Sequence, residues 1–343
     1  MFRWIIGLYL LIFDAPYTTW IGRAPRAFFN PPTFSLSYLV GHFPPEGFFL
    51  ALDVTGILAL GAMTIGWKTR WSTAVLLITR VIGLNFGYSF GKIDHVEILL
   101  SVLLLCMVMC DWGGADQPRN GADPTTRSPL WTDRALALIA VAIAFGFLTA
   151  GLVKAPDWLT PDVGSSGILS WYYPNLIELG RSHLLAGAVP DIPLALLKVG
   201  DWAAVLLELS GFLFLLRGRV TWRVYLLLVS LLHITNILIL NIGFSTQAII
   251  YLVFVDLSLL QTRISRTRPA LVALACGVAV VQIVVRVGGT GSPTAFMMDR
   301  TTAGVFMLYV GLVVGLCVVG ALVREIAIER RRDGVPVETA ISL

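Results

Sequence analysis

The sequence predicts an all-α protein, a polytopic transmembrane helical bundle of about ten spans. Of its 343 residues, 57% are hydrophobic and only 13% are charged, whereas soluble domains carry about 25% charged residues. The mean hydropathy is +0.81. Apolar runs long enough to cross a bilayer recur along the chain and are separated by polar or Pro- and Gly-rich segments.

The first half of the chain predicts five of these helices. They cover residues 2–20, 48–66, 72–89, 94–111 and 132–153. The opening run, residues 1–13, resembles a signal peptide, but Asp14-Ala15-Pro16 follows it where a small-residue cleavage site belongs. We therefore expect this run to remain as the first membrane helix. Pro156 is expected to end the fifth helix.

The second half predicts a long amphipathic or partly re-entrant segment, residues 155–194, and then five more helices. These cover residues 195–216, 222–240, 243–260, 270–287 and 303–323. The charged stretch that begins at Arg324 is expected to fray as a tail.

Basic residues are distributed unevenly over the predicted loops. If successive loops alternate between the two sides of the membrane, 16 basic residues lie on the side of the N-terminus and 8 on the other side. Loops 217–223 and 261–269 carry three each, and loop 241–243 carries none. Because cytoplasmic loops are enriched in Lys and Arg, both termini are predicted to be cytoplasmic. The net charge of +4 is then explained by these loops, and no nucleic-acid partner is expected.

The four cysteines do not predict a disulfide framework or a metal site. All lie in apolar runs, and no cluster of His or Cys accompanies them. They are Cys106, Cys110, Cys276 and Cys317.

Several polar groups gather at the predicted outer ends of the helices, where ionisable residues are candidate functional groups because their burial is costly. Lys154 either snorkels to the lipid headgroups or faces inward as a desolvated base. His233 shares a helix face with Asn236, three residues later. It either has a functional role or forms hydrogen bonds that hold neighbouring helices together. His95 is either an interfacial or a functional histidine.

Other charged residues have structural interpretations. Arg80 and Glu208 both fall near mid-membrane, where a buried pair would neutralise both charges. Asp53 and Asp201 are predicted within the first turn or so of their helices, where carboxylates favour the positive end of the helix dipole.

Aromatic residues follow Lys154 closely in the segment 155–194. They either form an interfacial belt or line a site for a flat apolar ligand such as a quinone. They are Trp158, Trp171, Tyr172 and Tyr173.

Several short motifs resemble, in order, the membrane domain of the vitamin K-dependent gamma-carboxylases, and hence the HTTM family. The motifs are Phe2-Arg3-Trp4 with Asp14-Ala15-Pro16, Leu60-Gly61-Ala62, Asp94-His95, Pro129-Leu130-Trp131, Ala150-Gly151-Leu152-Val153-Lys154 with Asp157-Trp158, Glu208-Leu209-Ser210 with Gly211-Phe212, and His233 with Asn236 and Ile242-Gly243-Phe244. The resemblance covers residues 1–262. Residues 263–323 add two membrane helices, and residues 324–343 add a short basic cytoplasmic tail.

The resemblance implies a catalytic role for Lys154, as the base that deprotonates a reduced quinone, and places His95 at the same site. It further implies a lyase of the bacterial cytoplasmic (inner) membrane with a quinone or quinol as cofactor, and the predicted topology places its active face outward. This chain has Val153 where the family has a second lysine, and Asp94 where the family has Asn. The carboxylases also continue into a large extramembrane region, in place of which this chain has two more predicted helices. We therefore do not expect peptide gamma-carboxylation.

The first functional hypothesis is quinol- or base-assisted, carboxylase-like chemistry. Its catalytic residues are Lys154, His95 and His233, and its substrate- or quinone-binding residues are Asp94, Asp157, Trp158 and Asn236. Alternatively, the protein is a non-catalytic membrane factor for maturation or export of a secreted peptide. A transporter is a third hypothesis, although no internal repeat supports it.

Overall fold

The computed structural model describes residues 1–91, 95–110, 129–289 and 300–333. These residues form α-helices joined by turns and short 3-10 helices, and no strand occurs among them. The all-α prediction is therefore confirmed. The helices are α1 (Phe2–Phe13), α2 (Leu36–Val40), α3 (Glu46–Ile65), α4 (Thr69–Gly87), α5 (His95–Cys110), α6 (Pro129–Trp158), α7 (Gly167–Leu179), α8 (Leu194–Leu209), α9 (Gly211–Leu216), α10 (Arg219–Leu240), α11 (Ser245–Tyr251), α12 (Ser258–Val287) and α13 (Arg300–Asp333).

Within the described ranges, six helical segments are long and apolar enough to cross a membrane, as expected for an integral membrane protein. They are Glu46–Ile65, Thr69–Phe90, Asp133–Trp158, Arg219–Leu240, Thr267–Val287 and Thr302–Arg331. Their outward faces carry large apolar side chains such as Leu58, Phe145 and Val313, all exposed. Lipid rather than water is the natural solvent for such faces.

Proline explains one predicted helix boundary that is wrong. The run predicted as a helix over residues 2–20 ends at Phe13, and a 3-10 helix follows at Thr19–Arg23. Pro16 lacks an N–H group and disfavours the α conformation of Ala15, so the first helix stops early.

Two other prolines lie inside helices that were predicted to begin or end beside them. α6 continues through Pro156 to Trp158, so the end predicted at residue 153 is wrong. Only two helical residues follow Pro156, and the missing N–H therefore removes a hydrogen bond only from the last turn. α12 runs through Pro269 from Ser258, twelve residues before its predicted start.

The remaining boundary differences follow from local breaks and from packing. The helix predicted over 195–216 is divided at Ser210 into α8 and α9. The helix predicted over 243–260 is α11 and a 3-10 turn at Leu252–Phe254. α13 extends into the predicted tail, where Arg223 forms salt bridges with both Glu325 and Glu329.

The chain forms two compact units. Unit 1 contains residues 1–139 and 257–304, and unit 2 contains residues 140–256 and 305–343. In unit 1, α3 packs against α1, α4 and α12. In unit 2, α10 packs against α7, α8, α9 and α11. The division of the sequence at residue 262 rests on the family resemblance and stays a prediction.

Candidate functional site

The centre of the candidate site is an ion pair between α6 and α8, in unit 2. Lys154 Nζ lies 2.5 Å from Glu208 Oε1. The two helices come close together at Gly151, where an added Cβ would lie 3.1 Å from the Cβ of Glu208. Lys154 follows Gly151 by three residues and so lies on the same helix face. The absence of a side chain at Gly151 therefore lets Lys154 reach Glu208.

This pairing shows that the predicted Arg80–Glu208 pair is wrong. In unit 1, Arg80 Nη2 lies 2.5 Å from Glu97 Oε2 and 3.8 Å from Asp14 Oδ2. Glu208 pairs with Lys154 instead. Hydropathy places residues at a depth in the membrane, but depth alone does not say which helices are neighbours.

Both partners of the Lys154–Glu208 pair are largely withdrawn from the surface. The side chain of Lys154 is 22% exposed and that of Glu208 is 6% exposed. A buried ion pair loses several kcal/mol of hydration per ion. The geometry thus holds a proton donor and a proton acceptor together where their charges are poorly solvated.

Trp158 forms one wall beside the amine. Lys154 Nζ lies 5.4 Å from the centre of the Trp158 ring, within the range of a cation–π contact. Trp158 is 8% exposed, and its indole packs directly on Gly167, where any side chain would overlap it. Trp158 is therefore a buried wall of the site, whereas Asp157 is exposed.

The other aromatic residues predicted near Lys154 divide into two groups. Tyr172 is buried and packs in a small apolar core with Ala186, Val189 and Leu240. Trp171 and Tyr173 are exposed, as residues of an interfacial belt would be.

His233 lies in an aromatic enclosure on α10. It is 4% exposed, and its Nε2 lies 3.0 Å from the hydroxyl oxygen of Tyr251. Its ring stacks on Phe244 at a centroid distance of 4.3 Å and lies 5.8 Å from Phe147. Its Nδ1 is buried without a hydrogen-bond partner among the described residues. A buried unpaired group of this kind costs about 1–3 kcal/mol.

Phe147 connects His233 to a second buried phenol. The ring of Tyr225 lies 5.9 Å from Phe147, edge to face, and stacks on Trp222 at 5.3 Å. Lys154 is near enough to His233, and Glu208 to Tyr225, for each pair to interact electrostatically. The site is thus a connected group in unit 2.

Three members of this group were missed in the sequence as site residues. They are Glu208, Tyr225 and Tyr251. Glu208 is an acidic residue at mid-membrane depth, which is a signal of a functional site. The sequence prediction, however, pairs it with Arg80. Tyrosines within apolar helices carry no comparable signal.

The other predicted site residues have different outcomes. Asn236 is half-buried, and no side-chain hydrogen bond joins it to His233 within the described part of the chain. Asp94 lies outside the described residues. The same holds for the side chain of His95, although its backbone begins α5. The expected approach of His95 to Lys154 stays a prediction.

A second buried lysine, on α8, is structural. Lys198 Nζ donates to Thr160 Oγ1 at 3.0 Å and to the Ser165 carbonyl at 3.1 Å. Asp201, 3.8 Å away, accepts from the backbone N–H groups of Gly167 and Ile168 at 2.8 and 2.9 Å. These bonds hold the start of α7 and the loop before it against α8.

The prediction that Asp201 stabilises the start of its own helix is therefore wrong. The same prediction for Asp53 is also wrong. Asp53 lies about two turns into α3. It accepts hydrogen bonds from the backbone and hydroxyl groups of Thr18 and Thr19, at the start of the 3-10 helix Thr19–Arg23. Each carboxylate caps a helix other than its own, because capping depends on spatial approach rather than on sequence position.

The segment after α7 is anchored by Asn241, at the end of α10. Its side-chain oxygen accepts from the His183 N–H at 2.7 Å, and its amide nitrogen donates to the His183 carbonyl at 2.9 Å. Arg181 Nη1 donates to Asn175 Oδ1 at 2.6 Å, and burial lowers the pKa of the Arg181 guanidinium. The segment predicted as amphipathic or partly re-entrant is thus part of unit 2 and is held against the end of α10.

No group of three or more His, Cys, Asp or Glu side chains that could hold a metal ion occurs within the described ranges. The chain matches no family of known proteins, no curated protein and no solved structure.

Proposed function

We propose that this protein is a membrane-embedded enzyme in which Lys154 and Glu208 remove a proton from an apolar, weakly acidic substrate such as a quinol. The observation that carries the proposal is the 2.5 Å contact between Lys154 Nζ and Glu208 Oε1. An amine that close to a buried carboxylate has an internal acceptor for its proton.

The proton-transfer step has two parts. The ammonium proton of Lys154 first moves to Glu208 Oε1, which converts the ion pair into a neutral amine and a carboxylic acid. Loss of hydration disfavours the charged form of a buried pair, and this is the physical basis of the proposed transfer. The free electron pair of Nζ then takes the hydroxyl proton of the substrate, which becomes an anion beside the re-formed ammonium group.

The aromatic residues around the pair suit a flat apolar substrate. Trp158 supplies a buried indole face beside Lys154. Phe147 and Phe244 enclose His233, whose buried Nδ1 has no hydrogen-bond partner among the described residues. We assign to His233 and Tyr251 the orientation of the substrate or a second proton transfer. If a quinol binds, the chemistry of the quinol would supply the strong base or reductant, and the protein would exclude water from the quinol.

The proposal includes a topology. We infer about ten membrane-inserted helices, cytoplasmic termini and an outward-facing site in a bacterial inner membrane. The basic residues of 217–223, where α10 begins, and of 261–269, in the first part of α12, support this orientation. Alkaline phosphatase fused after Arg217 should be inactive and a fusion after Asn241 active. The opposite pattern would reverse the orientation.

Oxygen consumption tests the base directly. Reduced menadione is added to the protein in lipid nanodiscs, because deprotonated hydroquinones react with oxygen faster than neutral ones. We expect wild type to accelerate the reaction by about 10²–10⁴-fold, the usual contribution of a general base, and Lys154→Ala to lose this acceleration. Lys198→Met is the matched control, since Lys198 is buried beside a carboxylate but has a structural role. Equal rates for wild type and Lys154→Ala would contradict the proposal.

A non-catalytic role rests on the same ion pair, because a salt bridge between α6 and α8 also stabilises the unit. The protein would then be a membrane factor for maturation or export of a secreted peptide, or a transporter. The double variant Lys154→Met/Glu208→Met separates the two roles. If it supports the growth or secretion phenotype of the intact gene, the pair is structural and the enzymatic proposal is wrong.

A further inference from the structure

Basic side chains gather at one end of unit 1. Arg3 lies in the first turn of α1, and its guanidinium lies against the end of α3: a Cβ at Gly66 would be 2.6 Å from Arg3 Nη2. Lys68 and Arg70 belong to the α3–α4 turn and the first turn of α4. Arg268, on α12, is near enough to Arg3 for their charges to repel. This end of unit 1 will be called the basic end.

The basic end contains polar atoms that are buried without a partner. Within the described part of the chain, this is true of Nε and Nη1 of Arg3 and of the hydroxyl oxygen of Thr69. Thr69 is only 3% exposed. Unsatisfied buried groups are rare in native proteins and call for a water, an ion or a ligand. A guanidinium and a hydroxyl both donate, so an acceptor satisfies both.

The charges around these atoms also favour an anion. α4 begins at Thr69 with Lys68 as its N-cap, and its first turn contains no acidic residue. Cations at a helix N-terminus oppose the helix dipole, whereas an anion there is stabilised. The sequence segments that meet at the basic end, residues 1–13, 66–72 and 258–270, contain no Asp or Glu. These three segments therefore contribute only positive charge to the basic end.

Tryptophans place the basic end at the depth of lipid headgroups. Trp67 and Trp71 are both exposed, and Lys68 Nζ lies 5.6 Å from the Trp67 ring. Exposed Trp beside Lys and Arg is typical of the membrane–water interface. At this depth the abundant anions are phosphates of lipid headgroups.

We infer that the basic end of unit 1 binds a phosphate oxyanion, presented by the headgroup of an anionic phospholipid. The fork of Arg3 matches two phosphate oxygens, and the Thr69 hydroxyl donates to the same group. Lys68, Arg70 and Arg268 supply charge around it. This site does not depend on Lys154 or on the proposed enzymatic function.

Native mass spectrometry of the delipidated full chain tests the site by titration with palmitoyl-oleoyl phosphatidylglycerol or phosphatidylcholine. We expect the phosphatidylglycerol complex to be roughly tenfold tighter, and Arg268→Gln to weaken it about fivefold, the usual effect of one cation near an anionic headgroup. Arg3→Gln and Thr69→Val should remove the preference. Because Arg268 is exposed, its variant remains informative if Arg3→Gln misfolds.

The control is Arg217→Gln, which removes an exposed basic side chain from unit 2 and should leave the preference unchanged. Equal binding of the two lipids, or an equal loss in Arg217→Gln and Arg268→Gln, would overturn the inference. Competition by millimolar inorganic phosphate identifies the source of the oxyanion. Displacement of the lipid supports an oxyanion site that also accepts free phosphate, and no displacement supports recognition of the lipid headgroup.

Discussion

The Cα of Gly151 faces Glu208 so closely that a Cβ on Gly151 would lie 3.1 Å from the Cβ of Glu208 and 3.0 Å from Cδ2 of Leu209. This approach of α6 to α8 is what allows the Lys154–Glu208 pair to form. The pair is therefore a consequence of a missing side chain one turn away.

Gly151→Val should separate α6 from α8. Overpacking of this kind costs about 1–3 kcal/mol, so the melting temperature of the purified protein should fall and the reactivity of Lys154 with an amine reagent should rise. Gly146→Ala, on the same helix, is the control, since a Cβ there meets nothing within 4 Å. It should be neutral or stabilising because Ala favours a helix over Gly. Similar melting temperatures for both variants would contradict the close approach.

Removal of one partner of the ion pair should be worse than removal of both. Glu208→Met leaves a poorly solvated ammonium group, and loss of one partner of a buried pair costs about 3–5 kcal/mol. Thermal unfolding in detergent should show this loss for Glu208→Met and for Lys154→Met. The double variant should recover most of it, because two apolar side chains leave no unpaired charge. An additive loss in the double variant would show that the two groups do not interact.

Asp201→Asn should loosen α7. The amide keeps one acceptor oxygen and loses the other, so Gly167 and Ile168 can no longer both be satisfied. A lost cap costs about 0.5–2 kcal/mol, and hydrogen exchange of residues 167–170 should accelerate while that of α10 stays unchanged. Asp157→Asn is the comparison, because Asp157 is exposed. Faster exchange in both variants would argue against the cap.

Arg223→Met should release the last turns of α13. Arg223 forms salt bridges with Glu325 and Glu329, and its Nε donates to the Phe254 carbonyl at 3.0 Å. Without it, two neighbouring carboxylates repel, and hydrogen exchange over residues 325–331 should increase severalfold. Arg219→Met, at an exposed position on the same helix, should have no such effect. Protection that persists in Arg223→Met would show that the helix holds without these bridges.

Two residues of the candidate site, Lys154 and His233, could be predicted from the sequence, but most of its other members could not. Lys154 and His233 were identified because charged and imidazole groups are costly inside apolar runs. Tyr225 and Tyr251 were not, because a tyrosine fits an apolar helix without any visible penalty. Glu208 was noticed, but its partner was misassigned. A hydropathy profile gives the depth of a residue and not the helix it faces.

The class of this protein follows from local sequence: apolar runs of membrane-spanning length and few charges indicate helices in a bilayer, because lipid solvates their apolar faces and the helix pairs their backbone groups. Which groups meet depends instead on how the helices pack. Glu208 pairs with Lys154 because Gly151 lets two helices touch, and Asp201 caps α7 from a position 34 residues beyond its partner Gly167. Such contacts depend on how each helix is rotated and how closely it approaches its neighbours. Side-chain packing sets both, and a local sequence pattern does not encode them.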